Sequence, residues 1–172
     1  MPFTPGPGVG GHCLPIDPSY LSWKVRRSLG RTFRFVELAN DINEHMPDYV
    51  VDRLMRLLNE RGTALSRATV LVLGLAYKKN SSDLRESPAI GIVEQLLHMG
   101  AAVHVADPHI VEARYVPDGA TCVEVTDDEV RAADVVVVVT DHDAFPYELI
   151  ASNAKLVFDT RSRMTGANVV AL

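Results

Sequence analysis

From residue 62 onward, short apolar segments alternate with amphipathic segments, and this alternation restricts the fold of the chain more than any other feature. Continuous apolar runs are typical of strands covered on both faces of a parallel sheet, and a spacing of three to four residues is typical of helices. The predicted strands are residues 69–74, 102–106, 134–140 and 155–159, and the predicted helices are residues 88–100, 127–133 and 145–152. This order predicts a doubly wound α/β unit with a parallel sheet.

Ligands of doubly wound sheets bind beyond the carboxyl ends of the strands. The candidate binding segments are therefore the four that follow the predicted strands, at residues 74–79, 107–109, 140–143 and 159–163. Ser87 and Pro88 supply an N-cap and a first-turn proline for the next helix, which Gly100 ends. The N-terminus of this helix is therefore expected beside the strand ends, among the candidate binding segments.

The N-terminal third of the chain has a different organisation. Prolines and glycines crowd residues 1–17, so this segment predicts a loop, followed by a short helix over residues 20–27. Residues 34–61 have helical spacing, but Pro47 must either kink that helix or begin a new one. As one helix the run would be about 42 Å long at a rise of ~1.5 Å per residue, so we expect its apolar stripe to contact another domain or another copy of the chain.

The balance of basic and acidic residues changes near the end of that helical run. Residues 1–61 carry eight Lys or Arg and seven Asp or Glu, whereas residues 62–172 carry nine and fifteen. A domain boundary is therefore expected there. The predicted units are residues 1–33, a loop and short helix, residues 34–62, a central helix, and residues 63–172, the α/β domain.

Composition excludes several classes of protein. The net charge of −5 argues against non-specific binding of nucleic acid. No apolar run approaches the ~18 residues that span a bilayer, so no membrane partner is expected. Cys13 and Cys122 are too few for a disulfide framework, which favours the reducing cytoplasm.

Cys13 follows a glycine-rich loop that contains Gly6, Gly8, Gly10 and Gly11. Backbone N–H groups of such a loop can surround a thiol, lower its pKa and hold a developing oxyanion. We do not assume a pair with the adjacent His12, because neighbours in a loop often point apart. Asp17, four residues on, could orient a water molecule or a base. The competing interpretation is that Cys13 is a small buried residue.

A second candidate site lies after the first predicted strand. The segment contains Lys78 and Lys79 but lacks the G-x-G-x-x-G pattern of dinucleotide sites. Together with Arg85 and a helix N-terminus, these residues form a setting for an anion such as phosphate. Arg161 and Arg163 follow the last strand and would lie at the same edge of a parallel sheet. The alternative is that the lysines are solvated and Arg85 pairs with Asp83 or Glu86.

The histidines and aromatic residues predict less. The histidines show no zinc spacing, and His142 is expected in an exposed turn at a strand end rather than at a metal. Tyr20 and Trp23 are expected to contribute packing rather than a platform for stacking bases. No metal site is predicted.

Six segments of the chain carry a recognisable combination of motifs: the loop through Cys13, Tyr20-Leu-x-Trp-Lys24, Glu37-Leu-Ala-x-x-x-Asn43, Gly74-Leu-Ala-Tyr-Lys78, Asp83-x-Arg-Glu-Ser-Pro88 and Asp159-Thr-Arg161. Together these segments resemble the nucleotide-sugar 6-dehydrogenases of the UDP-glucose/GDP-mannose dehydrogenase family. The sequence around the cysteine is most similar to the UDP-N-acetylglucosamine 6-dehydrogenase branch. The resemblance covers nearly the whole chain and implies a Rossmann-like UDP-binding domain.

The resemblance also implies a reaction. The family oxidises the C6 hydroxymethyl group of a UDP-sugar to a carboxylate in two steps with two NAD⁺, for surface polysaccharide precursors. It implies Cys13 as the nucleophile, through a thiohemiacetal and a thioester, and Asp17 as an assisting carboxylate. Implied substrate contacts are Thr4, Gly6, Gly8, Val9, Gly10, Tyr77, Lys78 and Arg161. Implied NAD contacts are Cys13, Leu14 and Arg85, and residues 34–61 are implied to form a homodimer.

One departure from the family pattern is large. Family members begin with an N-terminal NAD-binding domain that carries G-x-G-x-x-G, and this sequence contains no such pattern. We therefore expect the chain to be the C-terminal portion of such an enzyme and to turn over nothing alone. A non-catalytic module for binding a UDP-sugar or for dimerisation is the competing interpretation. An independent dinucleotide-binding subunit is a third, weakened by the missing glycines.

Overall fold

The computed structural model describes residues 5–110 and 115–172, and in these residues six parallel strands form one sheet. The strands are β1 (Thr69–Leu73), β2 (Ala102–Ala106), β3 (Thr121–Cys122), β4 (Val135–Val138), β5 (Val157–Asp159) and β6 (Val169–Ala171). The helices are α1 (Asp17–Leu29), α2 (Arg34–Glu44), α3 (Met46–Glu60), α4 (Pro88–His98), α5 (Asp127–Ala132) and α6 (Tyr147–Asn153), with a 3₁₀ turn at Leu65–Arg67.

The strand order β3-β2-β1-β4-β5-β6 is that of a doubly wound sheet, with β1 paired on both sides. Alternate residues of β1 face two separate cores. Val70 and Val72 pack in a cluster with buried residues of α3 and α4, whereas Leu71 and Leu73 pack with residues of α5 and α6. Helices therefore cover both faces, and the predicted Rossmann-like α/β fold is confirmed.

Two short edge strands were not expected from the sequence. β3 has two residues and β6 has three, which is too short for an apolar pattern to stand out. The four predicted strands are all present, although β4 and β5 are shorter than the apolar runs that contain them.

The N-terminal helices differ from the prediction in length and continuity. α1 begins at Asp17, earlier than expected, because Pro18 fits the first turn of a helix, and it ends at Gly30 in the left-handed region at φ 62°. The run over residues 34–61 is two helices that meet at His45, with Pro47 in the first turn of α3. Of the two alternatives at Pro47, a new helix is the one formed.

α2 and α3 also differ in what they bury. α3 buries five apolar residues in the core shared with β1 and α4: Val50, Val51, Leu54, Leu57 and Leu58. α2 buries only Val36 and leaves Phe35, Leu38 and Ile42 exposed. Tyr20 and Trp23 on α1 are exposed as well, so the packing expected of them is not made within this chain. Across the described ranges, no helix is both long and apolar enough to cross a membrane.

Ser87 joins the start of α4 to the loop after β1. Its hydroxyl donates to the Leu75 carbonyl at 2.7 Å and accepts from the Ala89 N–H at 3.3 Å. The side chain is buried, so water cannot replace either bond. The N-cap predicted from the sequence is confirmed, and it also fixes the segment that carries the candidate site.

We expect Ser87→Ala to lower the free energy of unfolding by about 1–2 kcal/mol, because it removes a helix cap and leaves a buried carbonyl without a donor. Urea denaturation measures the change. Ser152→Ala, on the exposed side of α6, is the matched control and should stay within about 0.5 kcal/mol of the wild type. Equal losses in the two variants would contradict this assignment.

Candidate active site

A cleft of about 720 Å³ lies between the glycine-rich loop, α2 and the C-terminal edge of the sheet. Most residues implied by the resemblance line it: Gly6, Gly8, Val9, Gly10, Cys13, Leu14, Tyr77, Lys78, Arg85 and Arg161. Thr4 lies outside the described residues. Asp17 is exposed at the start of α1 and is not among the described residues that line the cleft.

The Cys13 side chain is exposed at the cleft, so the interpretation as a small buried residue is wrong. Its sulfur lies 3.8 Å from Nδ1 of His12, a contact that we did not assume from the sequence. The Cys13 carbonyl accepts the Asp17 N–H at 2.8 Å as the chain turns into α1. The thiol therefore sits just before the N-terminus of α1.

Asn43 holds the glycine-rich loop against α2. Its side-chain oxygen accepts the Val9 N–H at 2.7 Å, and its side-chain nitrogen donates to the Val9 carbonyl at 2.9 Å. The amide therefore pairs with the loop as a neighbouring strand would. We did not predict a site role for Asn43, although a polar residue beside the apolar stripe residues Ala39 and Ile42 was a usable signal.

Gly11 brings the loop close to the loop after β1. A Cβ atom on Gly11 would lie 2.7 Å from the Tyr77 ring, and the residue adopts φ +91°, a conformation that other residues rarely take. Its N–H donates to the Arg85 carbonyl at 3.0 Å. The close backbone approach expected from the glycines is thus made to Tyr77 and its neighbours.

Arg161 is the most buried cation of the cleft. Its Nε donates to the Val139 carbonyl at 2.9 Å, and it forms no ion pair with any described residue. Burial lowers the pKa of the guanidinium, while the nearby Asp141 and Asp159 oppose that shift. Because an arginine stays charged in proteins, its remaining N–H groups are left to bind an anion.

The other cations behave differently from one another. Lys78 is exposed, with its nitrogen 5.3 Å from the centre of the Tyr77 ring, and it has no ion pair among residues 5–110 and 115–172. Lys79 is exposed as well, but its nitrogen pairs with Asp143 at 2.6 Å.

Arg85 lies at the rim of the cleft and pairs with Asp83. Its Nε and Nη2 both contact the carboxylate, at 3.0 Å and 2.6 Å, as one of our alternatives predicted. These hydrogen bonds lower the pKa of Asp83 to about 2. Arg85 therefore lines the cleft with much of its charge already neutralised.

The turn after β1 is where a dinucleotide would place its pyrophosphate in a sheet of this kind. Its backbone N–H groups are already used: those of Leu75 and Ala76 donate to Asp107 Oδ2 at 2.7 Å and 3.1 Å. The residues present at this turn therefore do not fit NAD, in agreement with the missing G-x-G-x-x-G. The predicted NAD contacts at Cys13, Leu14 and Arg85 stay predictions.

His142 is fully buried, so the exposed turn expected there is wrong. Its Nε2 lies 3.1 Å from Asp107 Oδ2, and its Nδ1 lies 2.9 Å from the Asn80 nitrogen. Nothing in the sequence signalled this burial, because His142 stands directly between two aspartates, Asp141 and Asp143. In the part of the chain that the structure describes, no three His, Cys, Asp or Glu residues are grouped to hold a metal ion.

Two segments of the chain match models of one protein family. Residues 71–166 match the UDP-binding domain of the UDP-glucose/GDP-mannose dehydrogenase family, and residues 1–45 match the central domain of the same family. The first match alone covers more than half of the sequence. The chain belongs to the UDP-glucose/GDP-mannose dehydrogenase family. The resemblance stated from the sequence motifs is thereby confirmed.

Individual members of the family are similar over most of this chain. The UDP-N-acetyl-D-mannosamine dehydrogenase of Methanococcus maripaludis is 35% identical over 92% of the chain. The NDP-N-acetyl-D-galactosaminuronic acid dehydrogenase of Ralstonia nicotianae is 32% identical over 97% of it. The solved UDP-D-ManNAc dehydrogenase of Pyrococcus horikoshii superimposes on 98% of it with a TM-score of 0.79 at 30% identity.

The chain spans 36% to 39% of the length of these three relatives. The names of these relatives refer to N-acetylated hexose derivatives, as does the UDP-N-acetylglucosamine branch that the cysteine motif resembles. The sugars that they name are mannosamine and galactosamine derivatives rather than glucosamine. The sugar that this chain takes therefore stays a prediction.

We expect Asn43→Ala to release the glycine-rich loop without unfolding the sheet, because Asn43 contacts the loop and lies outside both cores. Loss of the acceptor should speed hydrogen exchange of the Val9 amide about tenfold, the equivalent of ~1.4 kcal/mol. NMR-detected exchange measures this rate.

Asn40→Ala is the matched control on the same helix. Asn40 donates to Ser19 Oγ and makes no hydrogen bond to the loop residues that the structure describes, so exchange at Val9 should stay unchanged. If the Asn40 variant released the Val9 amide as strongly as the Asn43 variant, the clamp would not be the cause.

Proposed function

We propose that this chain is the part of a nucleotide-sugar 6-dehydrogenase that binds a UDP-N-acetylhexosamine and presents the thiol that captures its C6 aldehyde. One observation carries the proposal: an exposed thiol, Cys13, and a half-buried guanidinium, Arg161, which has no ion pair among the described residues, line the same cleft. The membership of the family supplies the class of reaction.

The diphosphate is proposed to bind at Arg161 and Lys78. A planar guanidinium grips two phosphate oxygens at once, and a lysine adds a point charge. Both side chains lack an ion pair within the described residues, whereas Lys79 and Arg85 have one. The two unpaired cations are therefore the better ligands. The Tyr77 ring packs against Gly11 of the glycine-rich loop, and the Lys78 nitrogen lies 5.3 Å from the centre of that ring.

The thiol is proposed to act on the sugar aldehyde. The Cys13 sulfur attacks the carbonyl carbon, a C–S bond forms, and the carbonyl oxygen gains a proton, giving a thiohemiacetal. Loss of a hydride from its carbon and of a proton from its hydroxyl converts it to a thioester. Attack by water then breaks the C–S bond and releases the carboxylate, a proton and the thiol. Asp17 is implied by the family resemblance to assist the water, and it would act from outside the cleft wall described above.

NAD is proposed as the acceptor of both hydrides, as in the family. Because the turn after β1 does not fit a dinucleotide, we assign its main binding site to no residue of the sheet. The chemistry proposed for this chain is therefore substrate binding and covalent capture.

The proposed partner is a second copy of the chain, through residues 34–61. α2 within this segment exposes Phe35, Leu38 and Ile42, an apolar set that association would cover. Two free exposed thiols suit the reducing cytoplasm, where precursors of surface polysaccharides would be oxidised.

Alkylation of the two exposed cysteines tests substrate binding. We expect UDP-N-acetylhexosamine to slow the reaction of iodoacetamide with Cys13 at least about tenfold while Cys122 reacts as before, because only Cys13 lines the cleft. Peptide mass spectrometry follows both sites in one sample, so Cys122 is the internal control. A Cys13 that reacts without any protection would favour a module with no catalytic geometry.

Addition of UDP-N-acetylhexosamine and NAD⁺ to the purified chain tests the division of labour. We expect no rise in NADH absorbance, because the sheet offers no complete site for the hydride acceptor. Turnover that disappears in Cys13→Ser would show instead that this chain binds NAD by itself.

A further inference from the structure

Behind the lysine loop, and outside the cleft wall, lies a buried chain of hydrogen bonds from Asp107 through His142 to the Asn80 backbone. We propose that His142 and Asp107 are positioning residues that hold the Lys78–Lys79 loop in the conformation that binds the β-phosphate. The proposal rests on the proposed function, because it assigns the diphosphate to this loop. His142 acts through Asn80 and touches no ligand.

The hydrogen bonds define the state of the imidazole. The Asn80 N–H donates to Nδ1 at 2.9 Å, so Nδ1 carries no proton. The proton therefore lies on Nε2, which donates to Asp107 Oδ2 at 3.1 Å. If Nδ1 carried a proton, that N–H and the Asn80 N–H would both be donors, and no hydrogen bond could form between them. The orientation of the ring and its tautomer are thus fixed by its two partners.

Asp107 is itself held rigidly. Burial raises the pKa of its carboxyl, but hydrogen bonds from His142 and from the backbone N–H groups of His109 and Leu75 outweigh burial and hold that pKa below its ordinary value. The His109 N–H donates to Oδ1 at 2.8 Å, and those of Leu75 and Ala76 donate to Oδ2. Both side chains of the pair are buried, at 0% and 1% exposure, and such a satisfied network has one arrangement.

Asn80 transmits this order to the lysines. It adopts φ 55°, in the left-handed region that asparagine enters more readily than most other non-glycine residues. His142 holds its N–H, and Asp143 accepts from its side chain at 2.8 Å. Asp143 also pairs with Lys79 at 2.6 Å. The position of the lysine loop therefore depends on bonds that converge on Asn80.

The groups around His142 leave it this single task. The His109 ring lies 4.7 Å away between ring centres, and the Phe145 ring lies 5.6 Å away. The Tyr147 hydroxyl donates to the His142 carbonyl, not to the ring. Both ring nitrogens are used by Asp107 and Asn80, so neither is free to take a proton from a substrate.

Two substitutions separate the roles of the ring nitrogens. In His142→Asn the side-chain oxygen falls near the place of Nδ1 and can still accept the Asn80 N–H. In His142→Gln the side-chain nitrogen falls near the place of Nε2, so the bond to Asp107 is kept and the acceptor for Asn80 is lost. Both variants disturb the core to a similar degree, which makes each the control for the other.

Titration calorimetry with UDP and UMP on the full chain gives the first readout. We expect the wild type to prefer UDP, His142→Asn to keep that preference within about twofold, and His142→Gln to lose about tenfold in UDP affinity with UMP affinity unchanged. Equal preference in all three proteins, or an equal fall for both nucleotides in both variants, would overturn the proposal. Thermal unfolding should change alike in the two variants.

NMR gives a second readout that needs no ligand. In the wild type, ¹⁵N shifts of His142 should show a bare Nδ1 and a protonated Nε2, and the reverse tautomer would overturn the proposal. Exchange of the Asn80 amide should be about tenfold faster in His142→Gln and unchanged in His142→Asn.

The two readouts separate this inference from the function on which it rests. A wild type that binds UDP and UMP equally would contradict the proposed diphosphate site. In that case the Asn80 exchange rates decide the inference, since the loop is held by His142 whether or not a phosphate binds to it.

Discussion

Parallel pairing of β1 with both β2 and β4 is the constraint on which the site depends. In this register Leu73 lies beside Ala106 on one side and Val138 on the other, so three strands end at one level. The segments that follow them then have to meet. Asp107 from the second strand receives N–H groups of the first loop, and Thr140 beyond the fourth strand donates to the Ala76 carbonyl at 2.6 Å. A shift of one residue in either pairing would separate these groups.

The glycine-rich loop that carries Cys13 (the thiol loop) depends on a different and weaker set of contacts. Its described residues belong to neither hydrophobic cluster, and a few hydrogen bonds attach it to α2 and to the loop after β1. The two halves of the cleft therefore differ in stability: the cationic half is tied to the sheet, and the Cys13 half to its surface. Local opening at the thiol loop would cost less free energy than opening at Arg161.

Much of the fold followed from the sequence because apolar runs and helix caps are local signals. The four longer strands and the start of α4 at Ser87 were predicted in this way. The same locality allowed the site residues to be collected from strand ends, since parallel strands bring those ends together. At Pro47 the sequence left two alternatives, because a first-turn proline and a kink have the same local pattern.

The parts that could not be predicted depend on distant partners. His142 stands between two aspartates, which indicates exposure, yet its burial depends on Asp107 and Asn80, which are 35 and 62 positions away. Asn43 likewise contacts Val9 across 34 positions. Asp17, four residues after Cys13, was predicted to orient a water molecule or a base, but it is the first residue of α1, is exposed, and is not among the described residues that line the cleft.

Substitution of Gly11 would affect the fold and the candidate site differently. This glycine lies at φ +91° against the Tyr77 ring, in a loop outside both hydrophobic clusters. A side chain there would displace the loop and leave the sheet and its register as they are. Selection of variants for folded protein alone would therefore accept many residues at this position. Selection of variants whose Cys13 thiol can still be labelled in the cleft would accept only glycine at this position.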